Sequence, residues 1–141
     1  MLALSTAWLS STLDDGLQLI DRCKDLECIS TIELDYRLND PMVDLILMVV
    51  RAGEFGLSSI HAPCPAPAEF DRLTAHAELQ LADADREKRA WAVAAVERSI
   101  DLAAELEVPT VITHLGLVEV PGEIDGLRKL FDADRIDTEE A

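Results

Sequence analysis

Apolar and polar positions along this chain fall into blocks that recur in a fixed order. Short apolar runs at residues 1–5, 28–34, 57–61 and 110–114 predict four strands, the second being rich in β-branched residues. Longer stretches with apolar positions at helical spacing separate them. Ser11 and Thr12 stand three residues before Asp14 and Asp15, in the manner of a capping box. The helix they open is expected to run to about Leu26, burying Leu17, Ile20 and Leu26. Asp40 as N-cap and Pro41 at the first helical position open a second helix, which ends near Gly53. A third helix is expected over about residues 86–107, capped by Asp83 or Asp85. Val93, Val96, Ile100 and Ala103 form its apolar stripe, and Glu97, Arg98, Asp101 and Glu105 its charged outer face. A short helical piece is expected around residues 127–131, and residues 137–141 read as the start of another helix. Strands alternating with helices predict an α/β fold, with a parallel sheet and right-handed crossovers.

Two of these strands end alike. Ser59-Ile60-His61 runs into Ala62-Pro63, and Val111-Ile112-Thr113-His114 runs into Leu115-Gly116. In α/β barrels the C-terminal strand ends carry the chemistry. His61 and His114 are therefore a candidate metal or substrate site. After the third strand, Pro63, Pro65 and Pro67 exclude regular structure and begin a long loop.

Composition narrows the picture. The chain has 141 residues, 49% of them hydrophobic, which suits one domain over residues 1–141. The longest apolar run, residues 45–50, is far shorter than the roughly 18 residues a membrane span needs. No basic region precedes the first apolar residues, so no secretory leader is expected. With 28 acidic and 12 basic residues, the net charge of −16 repels phosphate backbones. Neither nucleic acid nor a membrane is an expected partner. Cys23, Cys28 and Cys64 are odd in number and irregularly spaced, which suits neither a disulfide framework nor a zinc pair. Buried thiols in a reducing cytoplasm are expected.

Ile32-Glu33-Leu34-Asp35 closing the second strand resembles the strand ends of a xylose-isomerase-like (β/α)8 TIM barrel. Ile60-His61-Ala62-Pro63 and Val111-Ile112-Thr113-His114-Leu115-Gly116 resemble the third and fourth. The helix ending at residues 99–107, with Val108-Pro109 leading into the strand, resembles that superfamily's third helix. The superfamily contains sugar phosphate isomerases and epimerases, and abasic-site nucleases of the endonuclease-IV type. The likeness covers essentially the whole chain but only half of the fold, since a complete barrel needs ~250 residues. It implies a partial barrel: about four parallel strands with three to four helices, broken in or before the fourth helix.

The resemblance implies metal-assisted proton transfer next to a sugar carbonyl. The divalent metal (Mn, Mg, Co or Zn) is then held by carboxylates and a histidine of later strands, beyond Ala141. The catalytic residues are not identified, and the isolated chain is expected to be an inactive fragment. In the isomerase branch His61 and His114 line the sugar or sugar phosphate pocket; in the nuclease branch the same two are zinc ligands. Alternation places Thr31, Glu33 and Asp35 on one side of the second strand and Ile32 and Leu34 on the other. Glu33 then binds a sugar hydroxyl or tunes a histidine; its structural alternative is an ion pair with Arg37 or Lys24. Trp8 stacks on a sugar face or packs at the barrel mouth. His76, in the long loop, is expected to be solvated, and Trp91 to cover the sheet. The alternatives to the isomerase are a zinc-dependent abasic-site phosphodiesterase and a non-catalytic half-barrel. The last exposes two unpaired sheet edges and is expected to associate through them, with itself or a separate chain.

Overall fold

The computed structural model describes residues 2–116 and 123–133. Its elements are β1 (Ala3–Ser5), α1 (Ala7–Ser10), α2 (Gly16–Lys24), β2 (Thr31–Leu34), α3 (Asp40–Arg51), β3 (Gly56–His61), α4 (Ala75–Glu78), α5 (Arg86–Glu105), β4 (Val111–Ile112) and α6 (Glu123–Asp132). Three helices begin where a side chain satisfies their free amide groups. Asp15 accepts from Leu17 and Gln18 at α2, Asn39 from Met42 at α3, and Asp85 from Glu87 and Lys88 at α5. Two of these caps differ from the expected ones. The hydroxyls of Ser11 and Thr12 lie upstream of the first turn of α2, and Asp40 is already inside α3. The helix expected over residues 127–131 is longer, and the one expected at 137–141 lies outside the described residues.

The four strands pair in the order β1-β2-β3-β4, all parallel. Because each strand is added on the same side of the last, right-handed crossovers put the connecting helices on one face. Toward that face Ile32, Leu34 and Ile60 are wholly buried, in one core with Leu19, Ile20 and Ile46. The opposite face is polar. The register slips between β2 and β3: Ile32 pairs with Leu57, but Glu33 pairs with Ser59. The skipped Ser58 donates its hydroxyl to the Ile32 carbonyl at 3.1 Å. The slip sets Ser59 directly beside Glu33.

Two helices bury faces that match the expected ones only in part, at Ile20 and Ala103. In α2 the inward residues are Leu19, Ile20 and Cys23, while Leu17 is exposed and Leu26 is exposed past the helix end at Lys24. In α5 they are Ala92, Ala95, Ser99 and Ala103, while Val93 and Ile100 lie on the surface. Small side chains let the helix approach closely. Ser99 uses the closeness, accepting from the Cys64 amide at 2.9 Å while donating to the Ala95 carbonyl. Trp91 does not cover the sheet; it is half exposed and meets Phe70 edge-on at 5.9 Å. Among the described residues, no helix is long and apolar enough to cross a membrane.

Candidate functional site at the strand ends

The polar face converges on Glu33. Its Oε1 accepts from the Ser5 hydroxyl and its Oε2 from the Ser59 hydroxyl, each at 2.7 Å. These bonds come from the two strands flanking β2 and hold the carboxylate in one orientation. Neither expected ion pair forms: Lys24 binds Glu54 at 2.6 Å, and Arg37 binds Asp35 at 3.3 Å. Glu33 Oε1 stands 3.9 Å from Nδ1 of His61, two residues beyond Ser59 on the same face of β3.

His61 and His114 meet. Their ring centroids are 5.0 Å apart and the planes are tilted by 39°. His61 ends β3, whereas His114 lies two residues past the end of β4. Parallel pairing carries on just beyond β3, where the Ala62 amide donates to the Ile112 carbonyl at 2.8 Å. That bond brings both histidines to one end of the sheet.

Four further residues complete the cluster. Tyr36 meets the His61 ring edge-on at 4.9 Å and the His76 ring at 4.3 Å. The Arg37 guanidinium lies over the Tyr36 ring, 4.2 Å from its centroid. His76 is half-buried here rather than solvated, because the loop after β3 folds back over the strand ends. Asp35 is wholly buried; its Oδ2 accepts from the Ser10 hydroxyl at 2.5 Å and from the Arg37 amide at 3.1 Å.

Trp8 lies on α1 with 54% of its surface exposed, outside the ring cluster of Tyr36, His61, His76 and His114. Cys64 does not reach the mouth; it is wholly buried in the core, where burial pushes its thiol far above the ordinary range. Asp35 and Tyr36 carried a signal that was legible beforehand, since both follow β2 as His61 ends β3. His76 carried none, because nothing local places it.

Burial lowers the pKa of both His61 and His76. At His61 the Glu33 and Asp35 carboxylates oppose the shift, while His114 and Arg37 reinforce it. At His76 Arg37 and His114 reinforce it and Asp35 opposes it. Both imidazoles therefore stay neutral in the fold at a pH where they charge in the unfolded chain. Above about pH 6.5 neither state takes up the proton and the penalty is absent. As pH falls below that value the unfolded chain binds protons first, and stability drops until the folded pKa values are passed. The midpoint of thermal unfolding should fall more steeply between pH 7.5 and pH 5.5 in the native chain than in a His61→Gln, His76→Gln double variant. Equal slopes in calorimetry would show that neither imidazole is held neutral.

The fit to a metal is poor. Glu33 already serves two hydroxyls, and among the described residues no group of three His, Cys, Asp or Glu side chains is placed to hold an ion. The described residues thus define an α/β protein with a parallel sheet and a histidine-lined site at its strand ends. Comparison with family models, curated proteins and solved structures finds no match.

Proposed function

We propose that this chain supplies the first four strand-and-helix units of a xylose-isomerase-like (β/α)8 barrel, whose strand ends bind a sugar or sugar phosphate for isomerisation or epimerisation. The observation that carries the reading is the meeting of His61 and His114, 5.0 Å apart, at one end of neighbouring parallel strands. The sheet order supports the barrel. Doubly wound sheets reverse their strand order at the ligand crevice, whereas these strands advance in one direction. The face away from the helices then lines the barrel interior, and Ser5, Glu33, Ser59 and His61 make it polar.

In this reading His61 binds through Nε2, which is buried and has no hydrogen-bond partner among the described residues. Its neutral ring can donate to or accept from a sugar hydroxyl, according to tautomer. Glu33, fixed by its two serines, sets the field at the opposite ring nitrogen. Tyr36 and Arg37 wall the ligand off from water. The divalent cation that the resemblance implies would be held by carboxylates and a histidine of later strands. The net charge of −16 disfavours the nuclease alternative, whose substrate is a polyanion.

The test is a titration of the purified chain with D-xylose, D-fructose and D-ribulose 5-phosphate, following imidazole proton and carbon resonances. At least one of these should shift the His61 and His114 signals together, with saturation. His61→Ala and His114→Ala should each weaken that binding about tenfold or more. Signals that stay fixed for all three sugars would remove the reading.

A further inference from the structure

We infer that His76, delivered by the loop between β3 and α5, is a third imidazole of the ligand site and recognises a ligand hydroxyl through Nδ1. The inference rests on the sugar-binding reading above. It begins with how firmly the loop is held. Arg72 donates to the Ser10 carbonyl at 2.5 Å and to the Leu13 carbonyl at 3.1 Å, tying the loop to the segment that follows β1. The Ala82 amide donates to the Leu115 carbonyl at 2.7 Å, tying it to the segment after β4. Gly116 packs so close to Gln80 that an added Cβ would stand 2.7 Å from the Gln80 Cβ. Between these anchors, Ala75 and Leu79 seat α4 in a small core with Ala92 and Ala95 of α5. His76 is therefore held over the strand ends by contacts on both sides of it in the chain.

The position of its ring is specific. It lies 4.3 Å from Tyr36, and with His114 and Thr113 it lines a cavity of about 10 Å³. That is about the room for a single oxygen atom. Among the described residues, Nδ1 of His76 is buried without a hydrogen-bond partner, as are Nε2 of His61 and Oδ1 of the wholly buried Asp35. An unpaired buried polar atom costs stability, and native chains seldom leave one without a reason. Two of these atoms belong to the imidazoles of His61 and His76, whose rings both meet Tyr36. A hydroxyl matches such a nitrogen because it donates and accepts at once, whichever tautomer the imidazole adopts.

The two roles open to His76 separate experimentally. Packing against Tyr36 needs only a ring, whereas recognition needs Nδ1. His76→Phe keeps the ring and removes the nitrogen; His76→Gln keeps a polar group and removes the ring. In the titration described above, the His76 signal of the native chain should move with those of His61 and His114. His76→Phe should melt close to the native chain yet bind the effective sugar about tenfold more weakly, with His76→Gln in between. If His61 and His114 respond while His76 stays fixed and His76→Phe binds as the native chain does, this inference fails and the sugar-binding reading stands. If none of the three signals responds, both fail. Should His76→Phe not fold, the native His76 signal decides alone.

Discussion

Asp35→Ala should lower the free energy of unfolding by about 3 kcal/mol, the largest loss expected from any single substitution at the strand ends. The Asp35 carboxylate is wholly buried, and one of its oxygens holds together three groups. It accepts from the Ser10 hydroxyl on α1, and from both the amide and the guanidinium of Arg37. Its own amide donates to the Thr6 hydroxyl at 3.0 Å, so the same residue fastens β2 to the segment after β1 by two routes. Truncation leaves the Ser10 hydroxyl and the Arg37 groups without this acceptor. Bonds to a charged group are each worth about 1.5–3 kcal/mol, and deleting one partner of a buried ion pair costs about 3–5 kcal/mol. The low end applies because the Arg37 side chain keeps 20% of its surface in water. Asp35→Asn retains an acceptor for Ser10 and should lose about half as much. Urea unfolding measures both. A loss below about 1 kcal/mol for Asp35→Ala would mean that the network contributes little.

A second large loss is expected at Gly16, where α2 crosses α3. A Cβ built there stands 2.5 Å from the Met42 carbonyl oxygen and 3.1 Å from the Leu45 Cβ. The first of these neighbours is backbone and cannot rotate away, so one helix must shift. Gly16→Ala should therefore destabilise by about 3 kcal/mol, in the manner of other overpacked contacts. The sign is the informative part, because alanine in an open helix is favoured over glycine by about 1 kcal/mol. Gly126 in α6 supplies the control: among the described residues nothing lies within 4 Å of a Cβ built there. Gly126→Ala should raise stability by up to about 1 kcal/mol. Opposite shifts in the two unfolding midpoints are the expected result. A stabilised Gly16→Ala would show that the two helices are not packed this closely.

Much of the architecture was legible before any coordinates. The apolar runs located all four strands, and the parallel sheet followed from their alternation with helices. Alternation along β2 correctly set Glu33 opposite Ile32 and Leu34. The errors have a common cause. Val93 and Ile100 fit a helical stripe as well as Ala92, Ala95, Ser99 and Ala103 do. Spacing alone does not say which stripe turns inward; packing does, Ala92 and Ala95 against Ala75 and Leu79 and Ala103 in the main core. In α2 the expected Ile20 is inward, but Leu19 and Cys23 join it in place of Leu17, and Leu26 lies past the helix end.

Strand position and face alternation depend on residues a few places apart, so the amino-acid order by itself decided them. Which side chains meet at the strand ends depends on how whole elements pack, and only the tertiary structure decided that. His61 and His114 are joined by strand pairing, Glu33 is clamped by serines of two other strands, and His76 arrives on a loop anchored at Ser10, Leu13 and Leu115. Each of these meetings couples residues far apart in the chain, through contacts that form only when the core closes.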